Sequence, residues 1–216
     1  VSVLQVHHDA SSYTILPIHE HQLCFILHPK AANTSIKLMI RKAQGYTEIN
    51  NRLLNWQWDF LRPCEIPQDY YTVTVVRNPI ERVKSLYADK FGHPGKVAKY
   101  LKEIGYRADM GFENYITLLC NQSDRVIEKH LRQQTFSLYC DGKCVADKIY
   151  KLETIDWAKF KLDIFEKTGF ELCDIEYENP SDKQTKAQVE NLITPEIRQR
   201  LEIRYKDDLE LLEYNL

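Results

Sequence analysis

Apolar and polar positions follow two different periods along this chain. Leu23-Cys24-Phe25-Ile26-Leu27 is an unbroken apolar run, closed by Pro29 and followed by small and hydroxylated residues. That order predicts a buried strand, a tight turn and a helix that Thr34 and Ser35 open, with Ile36, Ile40 and Ala43 on one face and Gly45 as its stop. Thr72 to Val76 is β-branched throughout, the pattern of a strand buried on both faces of a parallel sheet. Asn78 then reads as an N-cap and Pro79 as the first residue of a helix whose apolar side is Ile80, Val83, Leu86, Tyr87 and Phe91. Between these units, residues 46–72 are mixed: Trp56, Trp58, Phe60 and Leu61 suit a half-buried strand or covering loop, and Pro63 and Pro67 mark a connection.

Further along, Glu113 to Leu119 has the spacing of an amphipathic helix. Phe136 to Tyr139, the Asp141-Gly142 turn and Val145 to Leu152 predict a hairpin. Thr194 caps and Pro195 opens a closing helix striped by Ile197, Leu201, Tyr205, Leu209 and Leu212, ending at Tyr214. Residues 1–22, with a short β-like run at Tyr13 to Leu16, read as a solvated arm, so the main domain is placed at 23–216. Gly169 and the polar stretch Glu176 to Lys186 read as a solvated loop. The βα alternation predicts a three-layer α/β domain with a mostly parallel central sheet flanked by helices.

Composition narrows the partners. The chain has 216 residues, 44% of them hydrophobic, enough for one domain with a full core. A formal net charge of −2 argues against a general nucleic-acid binder. No run approaches the ~18 apolar residues of a membrane helix, and no signal peptide is visible. The six cysteines are scattered. Cys24 reads as core, and Cys140 and Cys144 flank a hairpin tip, either as a disulfide or as two thiols. No cysteine or histidine spacing suits a structural zinc, and no metal is expected. Asn121-Gln122-Ser123 is a glycosylation sequon that matters only in a secreted chain.

Candidate chemistry gathers where the predicted strands run into helices. Backbone N–H groups and the positive end of the helix dipole make such a junction an anion site, and Lys30 with the Thr34 and Ser35 hydroxyls adds a charge and donors. This is not a Walker A loop, because Lys30 precedes Thr34 by four residues and no Gly is present. Arg77 stands at the carboxyl end of the second strand, where open α/β sheets bind ligands, and Ser85 lies about two turns into the following helix.

The Pro29-Lys30 to Thr34-Ser35 stretch resembles the 5′-phosphosulfate loop of sulfotransferases that use 3′-phosphoadenosine 5′-phosphosulfate (PAPS). The run Val76-Arg77-Asn78-Pro79 through Arg82 and Ser85 to Tyr87 is similar to their 3′-phosphate motif, in the family's order and separation. More of the chain resembles the carbohydrate-type, family 2, subgroup. Glu128 to Gln134 is similar to its H-W-R-P-Q segment, with Leu131 and Gln133 replacing Trp and Pro. Val145 to Leu152 resembles its D-x-I-x-K/R-x-E strand, and the tail matches its terminus with Tyr205 and Asp208 in place. The resemblance runs from about residue 23 to the end and implies a three-layer, P-loop-like fold.

It also implies a function: transfer of a sulfuryl group from PAPS to a hydroxyl of a carbohydrate acceptor by in-line displacement, leaving PAP (adenosine 3′,5′-bisphosphate), with no metal required. Lys30 would neutralise charge on the leaving nucleotide, and the Ala32, Asn33, Thr34 and Ser35 turn would hold the 5′-phosphate. Arg77 and Ser85 would hold the 3′-phosphate, and Ser181 and Lys183 would contact the nucleotide from a closing loop. Related enzymes carry a base histidine between the two motifs, but residues 31–76 contain none. His130 is the first candidate in its place, His93 the second, and Glu48 or Asp59 a carboxylate alternative. Lys84, Lys90, Lys96 and Lys99 with Arg82 form a cluster that would suit an anionic glycan. Two other readings compete: a P-loop-kinase-like phosphotransferase, which predicts a metal requirement, and a silent nucleotide- or glycan-binding module. The compartment reading leans cytoplasmic, of bacterial type, with the Golgi lumen as the alternative should an anchor precede this chain.

Overall fold

The computed structural model of the protein describes residues 14–49, 54, 61–91, 102, 105–107, 109–174 and 189–214. In chain order its elements are β1 (Ile15–Ile18), β2 (Leu23–Leu27), α1 (Asn33–Ala43), β3 (Tyr71–Val76), α2 (Pro79–Phe91), α3 (Phe112–Cys120), α4 (Thr135–Leu138), β4 (Tyr139–Cys140), β5 (Lys143–Cys144), β6 (Lys148–Lys151), α5 (Trp157–Thr168), α6 (Pro195–Arg204) and α7 (Lys206–Leu211). They belong to two compact units, one of residues 10–77 and 137–179, the other of residues 1–9, 78–136 and 180–216. The mixed, mostly parallel sheet flanked by helices is the α/β architecture expected from the βα alternation.

The first unit holds a four-stranded sheet of order β1-β2-β3-β6. β2 and β3 are parallel, in register from Leu23 opposite Tyr71 to Leu27 opposite Val75, and β6 runs parallel to β3. Side chains alternate across a strand. Leu23, Phe25, Leu27, Val73 and Val75 therefore share one face, where they pack with Ile36, Met39 and Ile40 of α1 and Phe160 and Ile164 of α5. Cys24, Ile26, Thr72, Thr74 and Val76 on the other face are buried as well, as interior parallel strands require. The Thr74 hydroxyl avoids a buried-polar penalty by donating to the Ile26 carbonyl at 2.7 Å. Asp156 caps α5, its carboxylate accepting from the Ala158 and Lys159 amides, and Gly169 at φ 68° ends it.

Three expectations change in this unit. Ile15–Ile18 is not part of a solvated arm but a buried edge strand, antiparallel to β2. Its Pro17 weakens a strand signal in sequence yet is tolerated on an edge. The hairpin is only β4 and β5, joined by Asp141 at φ 48° and Gly142 at φ 77°. The run after it leaves the hairpin, and Lys148–Lys151 joins the main sheet as β6. Cys140 is bonded to Cys64, with Cα atoms 5.4 Å apart, while Cys144 is an exposed thiol. The pairing follows from the turn: Cys140 lies opposite Lys143 and Cys144 opposite Tyr139, so the two cysteines occupy opposite hairpin faces.

The second unit is helical, with a core built from Ile80, Val83 and Leu86 of α2, Tyr115, Ile116 and Leu119 of α3, and Leu201 and Tyr205 at the carboxyl end. Asn78 caps α2 as expected, its Oδ1 accepting from the Ile80 and Glu81 amides. Thr194 caps α6 through the Ile197 amide. The closing helix is divided at Tyr205, φ −109°, into α6 and α7, although Ile197, Leu201, Tyr205, Leu209 and Leu212 are all buried as the stripe predicted. Among the described residues no helix is long and apolar enough to cross a membrane.

Candidate functional site

The two motifs meet at the carboxyl ends of β2 and β3. Because Leu27 and Val75 are register partners, the segments that follow them leave the sheet side by side. Arg77 uses this proximity: its Nη1 donates to the Lys30 carbonyl at 3.2 Å. Lys30 at φ 66° and Ala32 at φ 57° both occupy the left-handed region, costly for residues with a Cβ. Arg77 therefore braces a turn that holds two residues in the left-handed region and leads directly into the start of α1.

α1 begins at Asn33, one residue before the expected start, with Ala32 as N-cap and no side-chain cap. Among the described residues no side chain takes the capping role that Ser or Asp commonly plays, and the first-turn amides have no carbonyl partner within the helix. Asn33 Oδ1 is buried without a hydrogen-bond partner. Amide oxygen and nitrogen exchange places on a flip, so this side chain can present a donor instead. Thr34 is exposed, and Ser35 and Lys30 are half-buried. A cationic side chain, an uncapped helix N-terminus, two hydroxyls and an orphaned amide form a donor set suited to a phosphate.

Ser85 and His130 belong to the helical unit. Ser85 lies on α2 and is only 4% exposed. One turn earlier, Arg82 is also buried: its Nη1 donates to the Arg132 carbonyl at 3.2 Å and its Nη2 to the His130 carbonyl at 3.4 Å. Asp208, 0% exposed, lies 3.8 Å from Arg82 Nη1 and accepts from the Gln134 and Thr135 amides at 2.9 and 2.8 Å and from the Thr135 hydroxyl. Burial pushes the Asp208 carboxyl above its ordinary value, opposed by the Arg82 charge and these donors. Tyr205 donates to the Leu131 carbonyl at 2.6 Å. Residues 128–134 are thus a turn segment, held by its own carbonyls and amides, that leads into α4. His130 is half-buried in it, with Nδ1 2.7 Å from Glu128 Oε1.

The glycan-facing cluster is not as expected. Arg82 is interior, and Lys84 is paired with Glu81 and Glu190. Lys90 has no described side chain, and Lys96, Lys99, His93, Ser181, Lys183, Asp59, Trp56 and Trp58 lie outside the described residues. Glu48 is described, on the surface after α1. The sequence reading passed over two residues. His28, 3% exposed at the end of β2, was hidden inside the apolar run's closing turn. Glu128 could have been found from its spacing, since a carboxylate two residues from a histidine in a turn can reach the ring. One group of three metal-capable side chains comes together among the described residues, Cys64, Cys140 and Asp141. With both sulfurs joined to each other, it offers a metal a single carboxylate.

No curated protein and no solved structure matched this chain at a significant level. A family model described as the sulfotransferase family matches residues 14–215, taking in both motifs, the sheet from β1 onward and the divided closing helix. This match over nearly the whole sequence, on a chain whose strand-to-helix turn follows β2 as the motif predicted, leads to one conclusion: the chain belongs to the sulfotransferase family.

Proposed function

We propose that the protein transfers a sulfuryl group from PAPS to a hydroxyl of a carbohydrate. The observation that carries this reading is the hydrogen bond from Arg77 to the Lys30 carbonyl, which joins the two phosphate-binding motifs at the ends of neighbouring parallel strands. Within the sheet unit, the start of α1 with Asn33, Thr34 and Ser35 suits the 5′-phosphate, and Arg77, whose planar fork suits a phosphate, is assigned to the 3′-phosphate; Ser85 is assigned to the 3′-phosphate on the resemblance. When bound, PAPS supplies an activated sulfuryl group and a phosphate leaving group. Lys30 balances the negative charge that grows on the leaving oxygen, and His130 takes the acceptor hydroxyl's proton. In balance, the acceptor O–H bond gives its proton to His130, an O–S bond forms, and the S–O bond to phosphate breaks with its electron pair leaving on PAP. Ser181 and Lys183 remain assigned to nucleotide contacts on the resemblance alone. The Cys64–Cys140 disulfide favours an oxidising compartment over the cytoplasm.

The test is transfer of label from [35S]PAPS to a panel of neutral and anionic glycans, without added metal. The reading predicts label in a glycan and a fall of on the order of 10²–10³-fold for Lys30→Ala, the usual loss for one transition-state donor. No transfer to any glycan, together with Mg²⁺-dependent phosphorylation from ATP, would contradict it.

A further inference from the structure

We propose that Glu128 is a positioning residue for His130, holding the ring so that Nε2 is the nitrogen that takes the acceptor's proton; this rests on the assignment of His130 as base made above. His130 Nδ1 lies 2.7 and 2.8 Å from the two oxygens of Glu128, and the His130 amide donates to the same carboxylate at 2.7 Å. An ionised carboxylate only accepts, so a hydrogen bond here requires the proton on Nδ1. In the neutral ring that leaves the lone pair on Nε2. The opposite tautomer would set two acceptors against each other at hydrogen-bond distance.

The amide contact alone would be met by a simple turn cap. The ring contact is additional, and with it one carboxylate grips both the backbone and the imidazole of the same residue. The carboxylate and ring side chains are 13% and 24% exposed, so their contact is largely sheltered from bulk water. The backbone beneath them is fixed independently: Arg82 holds the His130 and Arg132 carbonyls, Arg132 Nη2 holds the Ile127 carbonyl at 3.2 Å, and Tyr205 holds that of Leu131. The ring is therefore oriented on a rigid segment. The buried acid of a Ser-His-Asp triad does the same for its histidine, setting the tautomer and facing the imidazolium that forms.

The experiment uses the full chain labelled with 15N-histidine, as wild type, Glu128→Gln, Glu128→Leu and His130→Ala, with thermal unfolding as a check on folding. Imidazole 15N shifts report the tautomer without an acceptor. PAPS turnover is measured with unsulfated chondroitin as the probe acceptor and with water in its absence. We expect the neutral form of the wild-type ring to carry its proton on Nδ1, and a mixed tautomer in Glu128→Leu. That variant should lose kcat at least about tenfold, within the 10²–10⁴ that a general base supplies, at unchanged KM for PAPS. Glu128→Gln, whose amide oxygen still accepts from Nδ1, should recover most of it, and Glu128→Leu should cost nothing further on the His130→Ala background. A neutral wild-type ring protonated on Nε2, or a Glu128→Leu ring and kcat like the wild type's, would overturn the proposal. If His130→Ala retains full turnover, the base assignment itself fails, which the tautomer measurement distinguishes from failure of the Glu128 contact.

Discussion

Lys30 and Ala32 set the character of the candidate site through their backbones as much as their side chains. Both hold positive φ with a Cβ in place, a conformation that costs free energy unless the surrounding structure holds it. Ala32→Val puts a β-branched residue at φ 57°, and we predict a loss of about 1–3 kcal/mol in urea unfolding together with weaker PAP binding. Ala32→Gly should stay within about 1 kcal/mol of the wild type, because relief of the left-handed cost is offset by a freer unfolded chain. A wild-type-like Ala32→Val would show that this turn stores no strain. Arg82 gives the opposite lesson from the neighbouring motif. It reads in sequence as one more cation on a helix face, yet it is interior and neutralised by Asp208 far along the chain.

At the scale of elements, β2, β3, α1 and α2 were readable because their signals are local: an unbroken apolar run, a β-branched run, and Asn-Pro at a helix start. Gly45 at φ 87° ends α1 where its sequence position indicated. The division of the closing helix at Tyr205 was not readable, since its apolar stripe continues in period through the break and the i to i−4 bonds Tyr205 to Leu201 and Leu209 to Tyr205 persist. The disulfide partner of Cys140 was equally hidden, Cys64 being 76 residues away, while the hairpin tip left a bond to the nearby Cys144 open. α6 is tied to the turn before residues 128–134 by Arg204, whose guanidinium grips the Asp124 carboxylate at 2.6 and 3.2 Å. Burial works to raise the Asp124 carboxyl, but hydrogen bonds and charge from Arg204, with two donors from Gln133, outweigh it and hold it below the ordinary value. A depressed carboxyl stabilises the fold above its unfolded value, about 3.9, and that contribution is lost as pH falls through the folded value. Denaturation from pH 7 to pH 3 should therefore show a steeper loss for the wild type than for Asp124→Asn. Parallel curves would remove Asp124 from the acid response.

For the molecule as a whole, each compact unit has its own core, and the sheet unit carries a covalent bond between the Pro63–Glu65 turn and β4. Under native conditions an alkylating agent should label exposed Cys144 and spare Cys24, which is buried and whose thiol burial pushes up to about 12. Reducing Cys64–Cys140 should lower stability by about 2–4 kcal/mol. Rapid labelling of Cys64 and Cys140 without reductant would contradict the bond. The family shown by the chain fixes sulfuryl transfer in general, and the account stands or falls on whether the braced Lys30 turn receives a nucleotide with a 3′-phosphate. The most direct measurement is thermal unfolding with PAP and with ADP, which lacks that phosphate. At a hundredfold excess over Kd, binding adds about 2.7 kcal/mol, which for a chain of this length raises Tm by about 5–10 °C. We predict such a shift with PAP, little with ADP, and its loss in Arg77→Ala. No shift with PAP, or a larger one with ADP and Mg²⁺, would contradict the account.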